Sequence, residues 1–271
     1  MRIVMPLFDF INQSAEEYEF YNGKYSLRKF NAEKEIPQVP GLSALDINYI
    51  KMESRALVAE DPDLKKYKQE VNMLLLAFRI YKLSRLFIKY RLCMENPDLC
   101  SKLSEHIEYI SHQNSNSLIK LEDLKIIDNA FVNLLKMDAI SNRTHNAIYF
   151  MFRGFSTIKW LDAYIFLMIA VESLFSNERR SGATDTICSR VSKFLNSKAR
   201  CEYKDIEHIY DLRSQIVHGK IVANDDDRDN LSELLELEYV TAECMKKILD
   251  EEIYLKYRDV DEKEMYFCSL Q

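Results

Sequence analysis

The sequence predicts a mainly α protein, with a helical bundle in its C-terminal part and a smaller mixed α/β region before it. Three observations lead there. The 271 residues contain only five glycines and five prolines, too few breakers for a turn-rich β fold. From about Leu118 onward apolar residues recur at helical spacing. Before that point the pattern mixes alternating stretches, turn signals and one clear helix.

In the N-terminal region Tyr18, Phe20, Tyr21 and Tyr25 surround Gly23, which suits a hairpin or a loop packed by aromatics. Ile36-Pro37-Gln38-Val39-Pro40-Gly41 cannot be helix interior and marks a connection. Leu45 to Val58 has apolar residues at mixed spacing and reads as a strand with flanks. Asp61-Pro62 opens a helix that carries Tyr67, Val71, Leu74, Leu75, Phe78 and Tyr81. Past Ser84, Leu86, Ile88 and Tyr90 alternate with Phe87, Lys89 and Arg91, as in a strand. A polar stretch holding His106 and His112 ends near Ser117, so the chain divides into residues 1–117 and 118–271.

The second part reads as six helices. They run from Leu121 to Met137, from near Asn142 through Phe155, from Trp160 to Phe175, from about Thr184 to Leu195, from Tyr203 to His218, and from about Arg228 to Tyr257. The third is apolar nearly all round and should be the central buried helix. Asp225-Asp226-Asp227 would cap the sixth and complement its dipole.

The bulk numbers exclude several classes. A net charge of −6 argues against general coating of nucleic acid, though a local basic site is compatible with it. Six cysteines, Cys93, Cys100, Cys188, Cys201, Cys244 and Cys268, form no C-x-x-C pair and have no histidine at finger spacing, so buried or free thiols in a reducing cytosol are expected, with no metal and no cofactor. Met1 to Phe10 is too short and too acidic for a secretory signal, and Ala163 to Val171, the longest apolar stretch, falls far below a membrane span. A cytoplasmic protein without membrane contact is expected.

The stretch richest in chemistry is Ile209-Tyr210-Asp211-Leu212-Arg213-Ser214-Gln215-Ile216-Val217-His218-Gly219. Ile206, Ile209, Leu212 and Ile216 share one helix face. Five residues separate Arg213 from His218, a turn of ~140° beyond full register, so the two flank a face rather than stack, and the long arginine stem can bring its guanidinium round toward the imidazole. Gly219 suits the left-handed position after a helix, which leaves His218 in the last turn. Arginine stays charged and neutralises phosphate, and histidine trades protons near neutral pH. RNA fits this pair, because its 2′-hydroxyl is a built-in nucleophile and cleavage then needs only proton transfer and charge stabilisation. The plainer reading stands beside it: Arg213 paired with Asp205, Asp211 or an interhelical glutamate, and His218 bonded to helix carbonyls.

This Arg-x4-His motif, with the apolar helix ending Ile169-Ala170-Val171-Glu172-Ser173-Leu174-Phe175 and the intervening helix from Ile187 to Leu195, resembles the HEPN superfamily, and most closely its Apea-like branch. The resemblance covers about residues 120 to 257, roughly half the chain. It implies a HEPN-type helical bundle that dimerises through that domain, with the Arg-His motifs of two protomers meeting in a shared cleft. It also implies a metal-independent endoribonuclease of a toxin–antitoxin, anti-phage or CRISPR-linked system, acting on single-stranded or tRNA-like RNA, with an antitoxin or other defence protein as a compatible partner. Arg213 and His218 take the catalytic places. Ser214 stands where many members have Asn, Asp or His, and Glu172 matches a glutamate that braces the motif helix, although a plain interhelical salt bridge reads the same way. Two copies of His218 across a twofold axis would supply both a base and an acid. Asp211 and His208, the latter ten residues before His218 on the same helix, complete the supporting set.

Other residues carry weaker signals. His145 suits a cap or a surface position, and Trp160 suits core packing. Lys65-Lys66-Tyr67-Lys68 and Arg85 to Arg91 are basic and aromatic, which fits an RNA backbone track or, more simply, a solvated helix face and strand edge. Arg179-Arg180 would serve the dipole of the central helix. Besides the ribonuclease, the sequence admits a catalytically inactive HEPN module that binds nucleotide, RNA or a protein, and a structural adaptor.

Overall fold

The computed structural model describes residues 1–8, 17–36, 42–82, 86–93, 95–96, 100–102, 119–157, 159–177, 183–196, 201–220 and 231–270. The protein is mainly α, with a small antiparallel sheet in its N-terminal region. Two compact units divide at Val132 and Asn133, inside the helix Leu121–Asp138. Pro37–Gly41, Arg85, His106, His112, Ser117, Arg179, Arg180 and the Asp225–Asp227 triplet, all singled out above, lie outside the described residues.

The first unit is built on a five-stranded sheet: β1 (Arg2–Phe8), β2 (Tyr18–Phe20), β3 (Tyr25–Lys29), β4 (Arg55–Glu60) and β5 (Phe87–Ile88), in the order β2-β3-β4-β1-β5. Leu57 of β4 faces Met5 of β1 on one side and Leu27 of β3 on the other. Of the hairpin and the packed loop that the aromatics around Gly23 allowed, β2 and β3 form the hairpin, with Phe20 opposite Tyr25 and a left-handed Gly23 in the turn (φ +82°). The central strands are buried on both faces, which explains their nearly unbroken apolar runs. On one face Val4, Phe8, Ala56 and Val58 pack with Phe30, Ile50, Tyr90 and Leu92. Helix α3 (Tyr67–Lys82) meets the hairpin, with Phe78 edge-on to Phe20 at 5.8 Å and Glu70 accepting from the Tyr25 hydroxyl. Two short strands, β6 (Tyr90–Arg91) and β7 (Ser101–Lys102), pair beside this sheet.

The expected strand over Leu45 to Val58 is corrected. After a one-turn helix α1 (Ala32–Glu35), residues Ala44–Lys51 form helix α2, and the strand begins only at Arg55. Ser43 and Asp46 make a reciprocal capping box that satisfies two N-terminal donors and starts the helix. Asp46 and Ile50 turn inward, whereas Leu45, Tyr49 and Met52 stay exposed, so the solvent-facing apolar residues blurred the helical period.

From residue 121 onward the chain follows the expected helices closely up to its last segment. Helix α4 (Leu121–Asp138) is followed by α5 (Asn142–Gly154), α6 (Trp160–Phe175), α7 (Ala183–Phe194), α8 (Tyr203–Val217) and α9 (Leu231–Asp250). α6 buries nine of its residues, Trp160 and Phe175 at its ends included. At Gly154 α5 approaches α6 closely: an added Cβ would lie 2.6 Å from Leu167 Cγ.

One long helix to Tyr257 was expected, and this too is corrected. α9 ends at Asp250, Glu252 turns left-handed (φ 51°), and a 3-10 helix Ile253–Arg258 leads into α10 (Val260–Ser269). Ile253, Tyr254 and Tyr257 of the 3-10 helix are buried, and Asp259 caps α10 through the N–H groups of Asp261 and Glu262.

Three cations meet the C-terminal turn of α6. Arg143 donates to the Ser173 carbonyl and the Ser176 hydroxyl, Arg190 to the Phe175 and Ser176 carbonyls, and buried Lys263 to the Ser176 carbonyl at 3.1 Å. These are carbonyls that a helix end leaves without intrahelical donors. Glu264 balances the charge, paired with Arg190 and 3.3 Å from Lys263. All six cysteines are free, and Cys93, Cys188, Cys201 and Cys244 are buried. Among the described residues no helix is long and apolar enough to cross a membrane.

Candidate functional site

The site forms where α8 lies against the last turns of α6. Ile206, Ile209, Tyr210 and Leu212 are the buried residues of α8, while Ile216 is only half-buried, so the inward face loosens toward the motif end. The buried Tyr164 hydroxyl of α6 donates to the Ile209 carbonyl at 2.7 Å and fixes how α8 seats on α6. Burial also raises the Tyr164 phenol above its ordinary range.

This seating brings Glu172 against the motif. Its Oε1 accepts from the Tyr210 hydroxyl at 2.8 Å and lies 3.3 Å from Arg213 Nη2. Arg213 and Glu172 are about one-quarter exposed, so water and solutes reach both. The Arg213 guanidinium carbon sits 5.8 Å from the Tyr210 ring centroid, a cation–π distance. Arg213 therefore pairs with the interhelical glutamate rather than with Asp211, which is exposed, or Asp205, whose carboxylate accepts from the Glu202 backbone N–H.

The helix ends as the glycine implied. Gly219 is left-handed (φ +67°), its N–H reaches the Ile216 carbonyl and that of Lys220 reaches the Gln215 carbonyl, the two bonds of a Schellman motif. His218 is the C-cap, with its N–H on the Ser214 carbonyl and its side chain exposed. Arg213 and His218 thus occupy one end of α8, both open to solvent, but the free chain does not join them: Arg213 turns to α6, and no described contact links it to the imidazole. Ser214 lies half-buried between them in sequence.

His208 is not part of this end. Ten residues of helix span ~15 Å, and His208 stands exposed beside α9, 4.0 Å from Glu233 Oε1. His145 bonds Asp138 at 2.9 Å on the surface, and Trp160 is buried edge-on to Tyr164, both as structural residues would be. Of the two basic segments in the first unit, Tyr67 and Arg91 meet each other through a hydroxyl contact and a cation–π distance of 5.6 Å, while Lys65, Lys66 and Lys68 stay exposed.

Tyr210 is the contributor that sequence reasoning left without a role. The available signal was its place three residues before Arg213, one helical turn away on the same side. Among the described residues no group of three or more histidine, cysteine or acidic side chains could hold a metal ion. No protein-family model, no curated protein and no solved structure matches this chain.

Proposed function

We propose that this chain is a metal-independent endoribonuclease with a HEPN-type C-terminal bundle. It would act in the cytoplasm of a bacterium as part of a stress or anti-phage defence system. Arg213 neutralises the phosphate that the 2′-hydroxyl attacks, and His218 moves the proton. The observation that carries this reading is the end of α8: a reachable guanidinium braced by Glu172, and an exposed imidazole held at the C-cap by the Gly219 turn. Because Arg213 and His218 do not touch within one chain, the reading pairs two copies, so that the phosphate bridges an arginine and a histidine and the second histidine serves as acid. Single-stranded or tRNA-like RNA is the substrate class, since DNA lacks the hydroxyl this chemistry uses. The test is cleavage of single-stranded RNA in EDTA, with a cyclic phosphate end on the product.

A second reading, a catalytically inactive HEPN module that binds nucleotide, RNA or a protein partner, is favoured by the Arg213–Glu172 pair, which already satisfies part of the guanidinium, and by serine at position 214. Affinity for RNA without cleavage, unchanged in His218→Ala, would select it.

A further inference from the structure

We propose that Tyr210 is a positioning residue: its hydroxyl competes with Arg213 for one oxygen of Glu172 and so keeps the guanidinium available to a phosphate. The proposal takes its substrate from the ribonuclease reading, but its anion chemistry stands apart from cleavage.

The geometry is that of one hydrogen-bond donor and one neighbouring cation on the same carboxylate oxygen. Glu172 Oε1 receives the phenol at 2.8 Å and lies 3.3 Å from Arg213 Nη2. Charge-assisted bonds from arginine to carboxylate close to roughly 2.7–2.9 Å when nothing opposes them. The phenol therefore holds its bond near the ordinary length, and the ion pair is the stretched member. Arg213 touches the carboxylate through one nitrogen on one oxygen, not through the paired fork that makes such bridges strong. Its other donors remain for an incoming anion.

Tyr210 can keep this post at neutral pH. Burial, and then its bond to Glu172, push its proton loss up to about 12, so it remains a donor. Its ring is buried, and the Tyr164–Ile209 bond seats the adjoining turn of α8 on α6. Without that hydroxyl, Glu172 Oε1 would be left to Arg213 alone. The ion pair would shorten, and a phosphate would have to break a stronger contact to be bound.

The experiment is a titration of the full-length protein with inorganic phosphate, followed by the Arg213 side-chain N–H resonance. The variants are Tyr210→Phe, Glu172→Gln and both together. Wild type should respond to phosphate. Tyr210→Phe should bind it about two- to fivefold more weakly, the span of a surface ion pair, and Glu172→Gln more tightly than wild type. The double variant should match Glu172→Gln, because no carboxylate is left to compete for. With RNA as substrate, Tyr210→Phe should lower kcat/KM by a similar factor. Equal phosphate binding in wild type and Tyr210→Phe would overturn the proposal. So would a weakening that persists when Glu172→Gln is the background, or an Arg213 resonance that ignores phosphate. If Tyr210→Phe does not fold, the tighter binding expected of Glu172→Gln alone decides, and its absence overturns the proposal. Failure to cleave RNA, with the phosphate response intact, would remove the ribonuclease reading and leave this one standing.

Discussion

Glu172 of α6 and Arg213 of α8 meet across two helices, one carboxylate oxygen 3.3 Å from one guanidinium nitrogen, both partly exposed. An exposed pair of this kind contributes ~0–1 kcal/mol to stability. Arg213→Ala should therefore leave the melting temperature almost unchanged. On the proposed reaction it should lower kcat by about 10²–10³-fold, the usual effect of losing one donor to a developing anion. Thermal unfolding and RNA cleavage on the same preparation check both halves.

The turn behind His218 is testable through Gly219. Nothing lies within 4 Å of a Cβ built there, and φ is +67°. Gly219→Ala should thus cost about 1 kcal/mol through backbone strain alone, with no clash to relieve. Denaturant unfolding measures the loss. Cleavage should fall further than stability does, because the altered turn moves the C-cap imidazole.

Gly154→Ala should behave differently. Its Cβ would fall 2.6 Å from Leu167 Cγ, 2.7 Å from Leu167 Cδ2 and 3.2 Å from the Ala163 carbonyl, where two helices are already packed. The expected cost is about 1–3 kcal/mol, read as a lower denaturation midpoint, even though alanine is the better helix former.

Glu264 should make stability pH-dependent in acid. Burial pushes its carboxyl up, but the bond and charge of Arg190, with Lys263, outweigh burial and hold it below the ordinary glutamate value. A carboxylate lowered in the folded state contributes stability above its unfolded pKa, and that stability is lost as pH falls through the folded one. Wild type should lose stability on acidification below about pH 4.5, the ordinary value, and Glu264→Gln should show a flatter acid limb. At neutral pH the variant leaves Arg190 and Lys263 without their carboxylate, at a cost of about 3 kcal/mol. Urea midpoints at several pH values test the sign.

Much of the helical part was legible because its elements carry their own punctuation. Gly219 closes α8, and the run from Trp160 to Phe175 is apolar nearly all round. α2 and α10 were not legible, for opposite reasons. α2 shows Leu45 and Tyr49 to solvent, and Met52 just after it is exposed too, which breaks the expected stripe. The end of α9 has no glycine or proline to mark it. Glu252 adopts a left-handed conformation there, which residue type alone does not announce, and the buried Ile253, Tyr254 and Tyr257 follow in a 3-10 helix. At the site the sequence singles out Arg213, His218 and Glu172. It does not reveal that one oxygen of Glu172 serves both Tyr210 and Arg213, because that sharing depends on how α8 seats against α6.

Incubation of single-stranded RNA with wild type and with His218→Ala, both in EDTA and both shown to be folded, tests the central claim most directly. Wild type should release fragments ending in a cyclic phosphate, and the variant should release none. Intact RNA with wild type, or equal cleavage by the variant, would contradict it.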